Sequence, residues 1–324
     1  MRPAVPLALT AAALAVAVAA PVHAAPARTS YLIQPTGAAD DAVYPEGVAA
    51  TRGSTFFVGS TTDGTIYRGR LSKPNVKPFL PGGEDGRTMA VGMKVHEGKL
   101  FVAGGATGRF FIYEIDSMDL LGSFQVEPAA SETAPTFLND VAVAPNGAAF
   151  VTDSVRPVLY RVGPRQHGTD GVRTLKVFRD FTSGTPLKYE EGFNVNGIAV
   201  SEDGRYVVLT QTNTGELFRV RISDGQVRKI NLDGASVGGD GLVLTGSLLY
   251  AVEWAGDVGR IVKIRLNEEL TSGRVLKRVA KPSFDDPTTA AIAGNRMLVV
   301  NSQFGARSAG EAPGPFTVSS IRIP

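Results

Sequence analysis

Residues 139–153 read NDVAVAPNGAAFVTD: a polar pair, a short apolar run, a Pro-Asn-Gly turn and a second apolar run ending in a carboxylate. Two runs too short for helices, joined by a turn of that chemistry, form a β-hairpin. The same pattern returns as NGIAVSEDGRYVVLTQ at 196–211, DGLVLTGSLLYAVE at 240–253, EGVAATRGSTFFVGS at 46–60 and VGMKVHEGKLFVAGG at 91–105. It returns less closely as TTAAIAGNRMLVVNS at 288–302. The period is about 50 residues, the length of one propeller blade. Each unit runs on through a polar loop into a third strand, as in Thr65-Ile66-Tyr67-Arg68. A β-sandwich has no fixed period of this length, and a β-helix repeats at about half of it. The sequence therefore predicts an all-β, six-bladed β-propeller. Its ring closes where Tyr31-Leu32-Ile33-Gln34 lies beside Val318-Ser319-Ser320-Ile321-Arg322 as the outer strand of the sixth blade.

The composition fits one large domain. Hydrophobic residues make up 43% of the 324, and 33 Lys and Arg stand against 31 Asp and Glu, so no basic stripe argues for nucleic acid. The small cationic excess reads as scattered along blade edges. Arg2, the apolar run from Val5 to Ala20 and Pro21-Val22-His23-Ala24 read as a Sec-type signal peptide over residues 1–24. The propeller domain then spans 25–324. The expected product is a secreted monomer with no membrane contact after cleavage, and with no cysteine it has no disulfides or lipid anchor.

One position of the repeat carries chemistry. Just before the first strand of each unit stand Glu46, Asn139, Asn196 and Asp240 in the first, third, fourth and fifth blades. If inner strands start at the top face, all four meet at the channel mouth. His96 lies about 16 Å down its strand at about 3.3 Å per residue, His167 falls in a lower turn, and His23 leaves with the signal. Without histidine or cysteine an ordinary zinc site cannot form, whereas two carboxylates and two amide oxygens suit a hard divalent cation, calcium above all. Taken singly, each Asn reads equally as turn chemistry. Top-face loops supply Phe137, Trp254, Gln211, Phe304 and Asp153 as candidate contacts for a small-molecule substrate or ligand. The connection holding Lys188-Tyr189-Glu190-Glu191 is a candidate lid.

The Glu, Asn, Asn, Asp series at this spacing resembles the calcium-dependent propeller lactonase and esterase superfamily. That group comprises the senescence marker protein (regucalcin) and gluconolactonase family, diisopropyl fluorophosphatase and the paraoxonases. The resemblance implies that Glu46, Asn139, Asn196 and Asp240 bind a catalytic ion, with Asp240 as base or nucleophile. It implies a metal-dependent lactonase or esterase. Sugar-lactone hydrolases of this kind carry Arg two residues before the blade-three Asn. Here that residue is Phe137, which argues against an aldonolactone substrate. The alternative is a non-catalytic propeller that binds a ligand or protein, with the ion structural. A condensing activity like that of strictosidine synthase is a remoter third reading.

Overall fold

The structure is a computed structural model that describes residues 28–35, 42–164, 166, 168–255 and 258–324. The signal-peptide expectation and His167 lie outside those residues. Six four-stranded antiparallel blades form the ring, and the first and sixth are merged into one eight-stranded sheet. The inner strands are Pro45–Ala50, Met93–His96, Leu138–Val143, Val195–Val200, Gly239–Thr245 and Pro287–Ala293.

Strand alternation builds the core. Successive side chains of a strand point to opposite faces, so each second strand serves two blade interfaces. Phe56 and Val58 pack toward the sixth blade while Phe57 packs toward the second. Tyr250 and Val252 face the sixth blade, and Leu249 and Ala251 face the fourth. The buried apolar residues accordingly divide into separate clusters, one between each pair of neighbouring blades.

Ring closure follows the predicted strand pairing. Ser30–Ile33 pairs antiparallel with Thr317–Arg322, with Tyr31 opposite Val318. It also pairs parallel with Asn75 and Val76, the outer strand of blade one, and this second contact welds blade six to blade one. Tyr31 is buried against Phe56 at 5.1 Å between ring centroids, and its hydroxyl donates to the Leu71 carbonyl. A second addition has no counterpart in the sequence reading. Gly168–Thr174, between the third and fourth strands of blade three, pairs parallel with the outer strand Leu120–Gln125 of blade two.

At the axis the inner strands touch through their backbones. A Cβ built at Gly47 falls 2.0 Å from the Val91 carbonyl oxygen, and one built at Gly197 falls 1.9 Å from that of Asp240. Gly92 N donates to Asn139 O at 2.8 Å, and Val48 N to Thr289 Oγ1 at 3.0 Å, which returns blade six to blade one. Glycine follows the key position in four blades because no side chain fits between adjacent strands there. In blade three that place is held by Asp140.

Candidate metal centre

The key residues share a backbone device. Strand register shifts between Pro45 and Val48, Leu138 and Val141, Val195 and Ile198, Gly239 and Leu242, and Pro287 and Ala290. The first four shifts are bulges that span a key residue and its successor, and the blade-six shift spans Thr288 and Thr289. A bulge re-aims a side chain that regular pleating would send into the blade interface. The key side chains are thereby turned from the sheet faces toward the axis.

Hydrogen bonding fixes how the Asn139 amide points. Ser154 Oγ donates to the Val195 carbonyl at 2.8 Å, so its oxygen can only accept from Asn139 Nδ2, at 2.9 Å. This holds the Asn139 amide with Oδ1 turned away. Asn196 lies beside the Asp240 carboxylate and favours its charged form, and its own Oδ1 has no partner. Glu46 is anchored through its carbonyl, which accepts from Thr288 Oγ1 at 2.7 Å and Thr289 Oγ1 at 2.9 Å.

The result is a set of buried acceptors with nothing to accept. Among the described residues, the buried side-chain oxygens without a hydrogen-bond partner are Glu46 Oε2, Asn139 Oδ1, Asn196 Oδ1 and Asp240 Oδ1. Each such acceptor costs about 1–3 kcal/mol if left unpaired. The donors are all oxygen, two anionic and two neutral, which fits a hard cation. No group of three or more His, Cys, Asp or Glu gathers as a metal site among the described residues, so the arrangement depends on its two amides.

The sequence reading missed a third carboxylate. Asp140 accepts from Val141 N at 2.8 Å and from Ile198 N at 3.4 Å, bridging blades three and four just below the ring. Burial pushes its pKa up to about 6, against the pull of these amides and Lys94. Burial, then the Asp140 charge, pushes Asp240 up to about 7. Glu46 is driven well above the usual carboxylate range by burial, then by Asp240 and Asp140. All three carboxyls therefore sit where an added positive charge is favoured. The signal for Asp140 was the departure from glycine in NDV.

Below the ring the channel holds a cavity of about 270 Å³ whose walls include Lys94, Asp140, Val141, Ile198 and Leu242. Burial pushes the Lys94 ammonium down, with Asp140 opposing. His96 ends its strand in the hairpin opposite the mouth, paired with Lys99, as the strand-length argument expects.

The candidate contacts divide. Phe137 is half-buried and meets the exposed Phe193 edge-on, with centroids 5.0 Å apart. Trp254 is 43% exposed and lies against Gly305. Phe304 is half-buried against the core between blades six and one. Two expectations are corrected. Asp153 is sealed at 0% exposure and accepts from Thr136 Oγ1 and from the backbone of Phe137, Val155 and Arg156, so it folds a loop rather than facing a ligand. Gln211 is 1% exposed, and its amide donates to Lys188 O and Asn194 Oδ1. That bond, with Glu190 locked to Asn194 in both directions and Tyr189 bonded to Asp153 O, pins the candidate lid in place. The bonds of Asp153 to Thr136 and Phe137, of Gln211 to Lys188 and Asn194, and of Tyr189 to Asp153 join residues far apart in sequence, so no local motif announces them.

No protein-family profile and no curated protein matches the sequence. Solved structures do match the fold. The Malassezia sympodialis allergen Mala s 1 superposes with a TM-score of 0.62 at 12% identity, over 86% of this chain and 92% of its own. A calcium-binding protein, regucalcin, from Agrobacterium tumefaciens gives 0.58 at 15%, over 86% and 91%. A luciferin-regenerating enzyme gives 0.58 at 16%, over 87% and 92%. The chain is similar in fold to these propellers along most of its length, and the resemblance to the regucalcin group noted in the sequence is met at that level.

Proposed function

We propose that the protein is an exported, monomeric, divalent-cation-dependent hydrolase of lactones, esters or related bonds. In this reading Glu46, Asn139, Asn196 and Asp240 hold calcium at the channel mouth. The observation that carries it is that the unpartnered buried oxygens fall on these four residues and on no others among those described. When bound, calcium supplies Lewis acidity toward a carbonyl or phosphoryl oxygen. Asp240 takes the proton of an attacking water or attacks directly, and Asn196 beside it favours the charged carboxylate that either role needs. Phe137, Phe193 and Trp254 give the small-molecule substrate apolar contact. A regucalcin among the structural neighbours is a calcium-binding protein, and a luciferin-regenerating enzyme is a catalyst; both support the reading.

A second reading has its own observation. The four residues come from four blades, so an ion bound there ties the ring together whether or not chemistry follows. The test is calorimetric calcium titration of wild type, Asp240→Asn and Glu46→Gln, with lactone and aryl-ester hydrolysis measured on the same samples. Binding and turnover lost together in both variants support the hydrolase. Binding without turnover favours the non-catalytic propeller, and no binding by wild type refutes the metal centre.

A further inference from the structure

Away from the channel mouth, the outer rim of blades five, six and one has a charge pattern that the proposed hydrolase does not use. The cations there are segregated, contrary to the even scatter expected from composition. Residues 64–83, 270–284 and 312–324 contain no Asp or Glu, and the fold brings all three to this rim. A groove of about 560 Å³ between blades five and six is lined by Lys277, Lys281, Arg296 and Arg322. A second groove, of about 550 Å³, is lined on blade one by Arg68, Arg70, Lys73 and Lys77.

These eight side chains differ from Arg205, Arg221 and Lys229 on blade four. There Arg205 pairs with Asp203 at 2.5 Å, Arg221 with Asp224 at 2.7 Å, and Lys229 with Glu216. Among the described residues, the groove cations make no ion pair within 4.0 Å. Two of them are held in place. Arg296 donates from Nε to Ser320 Oγ at 3.0 Å and from Nη2 to the Ser320 carbonyl, and Arg68 lies over the Phe79 ring at 4.5 Å. Like charges held together without counter-ions repel one another, and an anionic chain laid across them relieves that repulsion.

We propose that this rim binds a linear acidic polysaccharide, its carboxylates meeting the cations of the two grooves in turn. The shape and chemistry of the grooves favour that partner. No aromatic ring lines either groove, so single-stranded nucleic acid finds no stacking platform. Both grooves are concave, and Leu32, 40% exposed, is the sole exposed large apolar side chain on the strands joining them, which is poor footing for a lipid surface. Hydroxyls and amides at Thr29, Ser283 and Asn75 line the same grooves and suit sugar hydroxyls.

The test uses the full chain and polygalacturonate, with binding followed by calorimetry from about 50 to 200 mM salt. Lys277→Glu/Arg322→Glu and Arg70→Glu/Lys73→Glu reverse each groove. Arg228→Glu/Lys176→Glu changes net charge equally on exposed strands outside the rim. The expected result is salt-sensitive binding that falls about tenfold or more in either groove variant and less than about twofold in the control. Unfolding temperature and calcium titration stay as in wild type, which separates this result from any failure at the mouth. Absent binding, equal losses in all three variants, or tighter binding to duplex DNA or to phosphatidylserine vesicles would overturn the proposal.

Discussion

At the residue scale, the mouth combines buried oxygens with carboxyl groups whose protons are hard to remove. Asp140 and Asp240 hold theirs up to about 6 and about 7, whereas the ordinary value is 3.8. Between those values the folded chain binds more protons than the unfolded one, so stability falls as pH rises through that window. Asp203 acts in the opposite sense, lowered to about 2 first by its bond from Ser201, so its gain is complete above the ordinary carboxylate range. In chelator, the unfolding temperature is expected to drop from about pH 4.5 to 7.5. Saturating calcium should flatten or reverse the slope, and Asp140→Asn should flatten it without calcium. A rise in chelator would refute the assignment. Ser154→Ala frees the Asn139 amide to rotate, with an expected loss of about 1 kcal/mol, or about fivefold in calcium affinity, measured by titration. An unchanged affinity would mean that Ser154 does not set the amide.

At the element scale, the bulges and close backbone contacts at the starts of the inner strands decide where the key side chains go. Gly197→Ala places a methyl 1.9 Å from the Asp240 carbonyl oxygen, and no rotamer change relieves a clash with backbone. The blade-four and blade-five strands must part, and a loss of about 3 kcal/mol or more is expected by thermal unfolding, as for severe overpacking. Gly53→Ala, whose nearest neighbour lies 3.6 Å away, is the control and should stay within about 0.5 kcal/mol. Equal effects of the two substitutions would show that the strands are less tightly apposed than described.

At the scale of the whole molecule, the ring is closed by non-covalent contacts in a chain without cysteine. Ser30–Ile33 joins the last strand of blade six to the outer strand of blade one, so loosening it opens both edges at once. Tyr31→Ala removes an aromatic side chain with 2% exposure from the interface of those blades. The expected cost is about 3–5 kcal/mol, with a clear fall in unfolding temperature. An unchanged midpoint would mean that closure depends on other contacts. The segregated cations of the rim are likewise a property of the whole ring, because those of blade one lie about 200 residues or more before those of blades five and six in the sequence.

The sequence by itself determined the repeat, the strand order within each blade, the closing partners and the four key residues. Those features depend on local alternation, turn chemistry and a period, which are written in neighbouring residues. The tertiary structure decided that bulges turn Glu46, Asn139, Asn196 and Asp240 off the sheet faces, and that Asp140 joins them. It also decided that Asp153 and Gln211 serve loops, since Thr136 and Phe137, which close on the first, and Lys188 and Asn194, which close on the second, lie 16 to 23 residues away in sequence. Hydrogen bonds between distant segments and the packing of one blade's backbone on the next leave no periodic trace. Their outcome is settled only when the ring has closed.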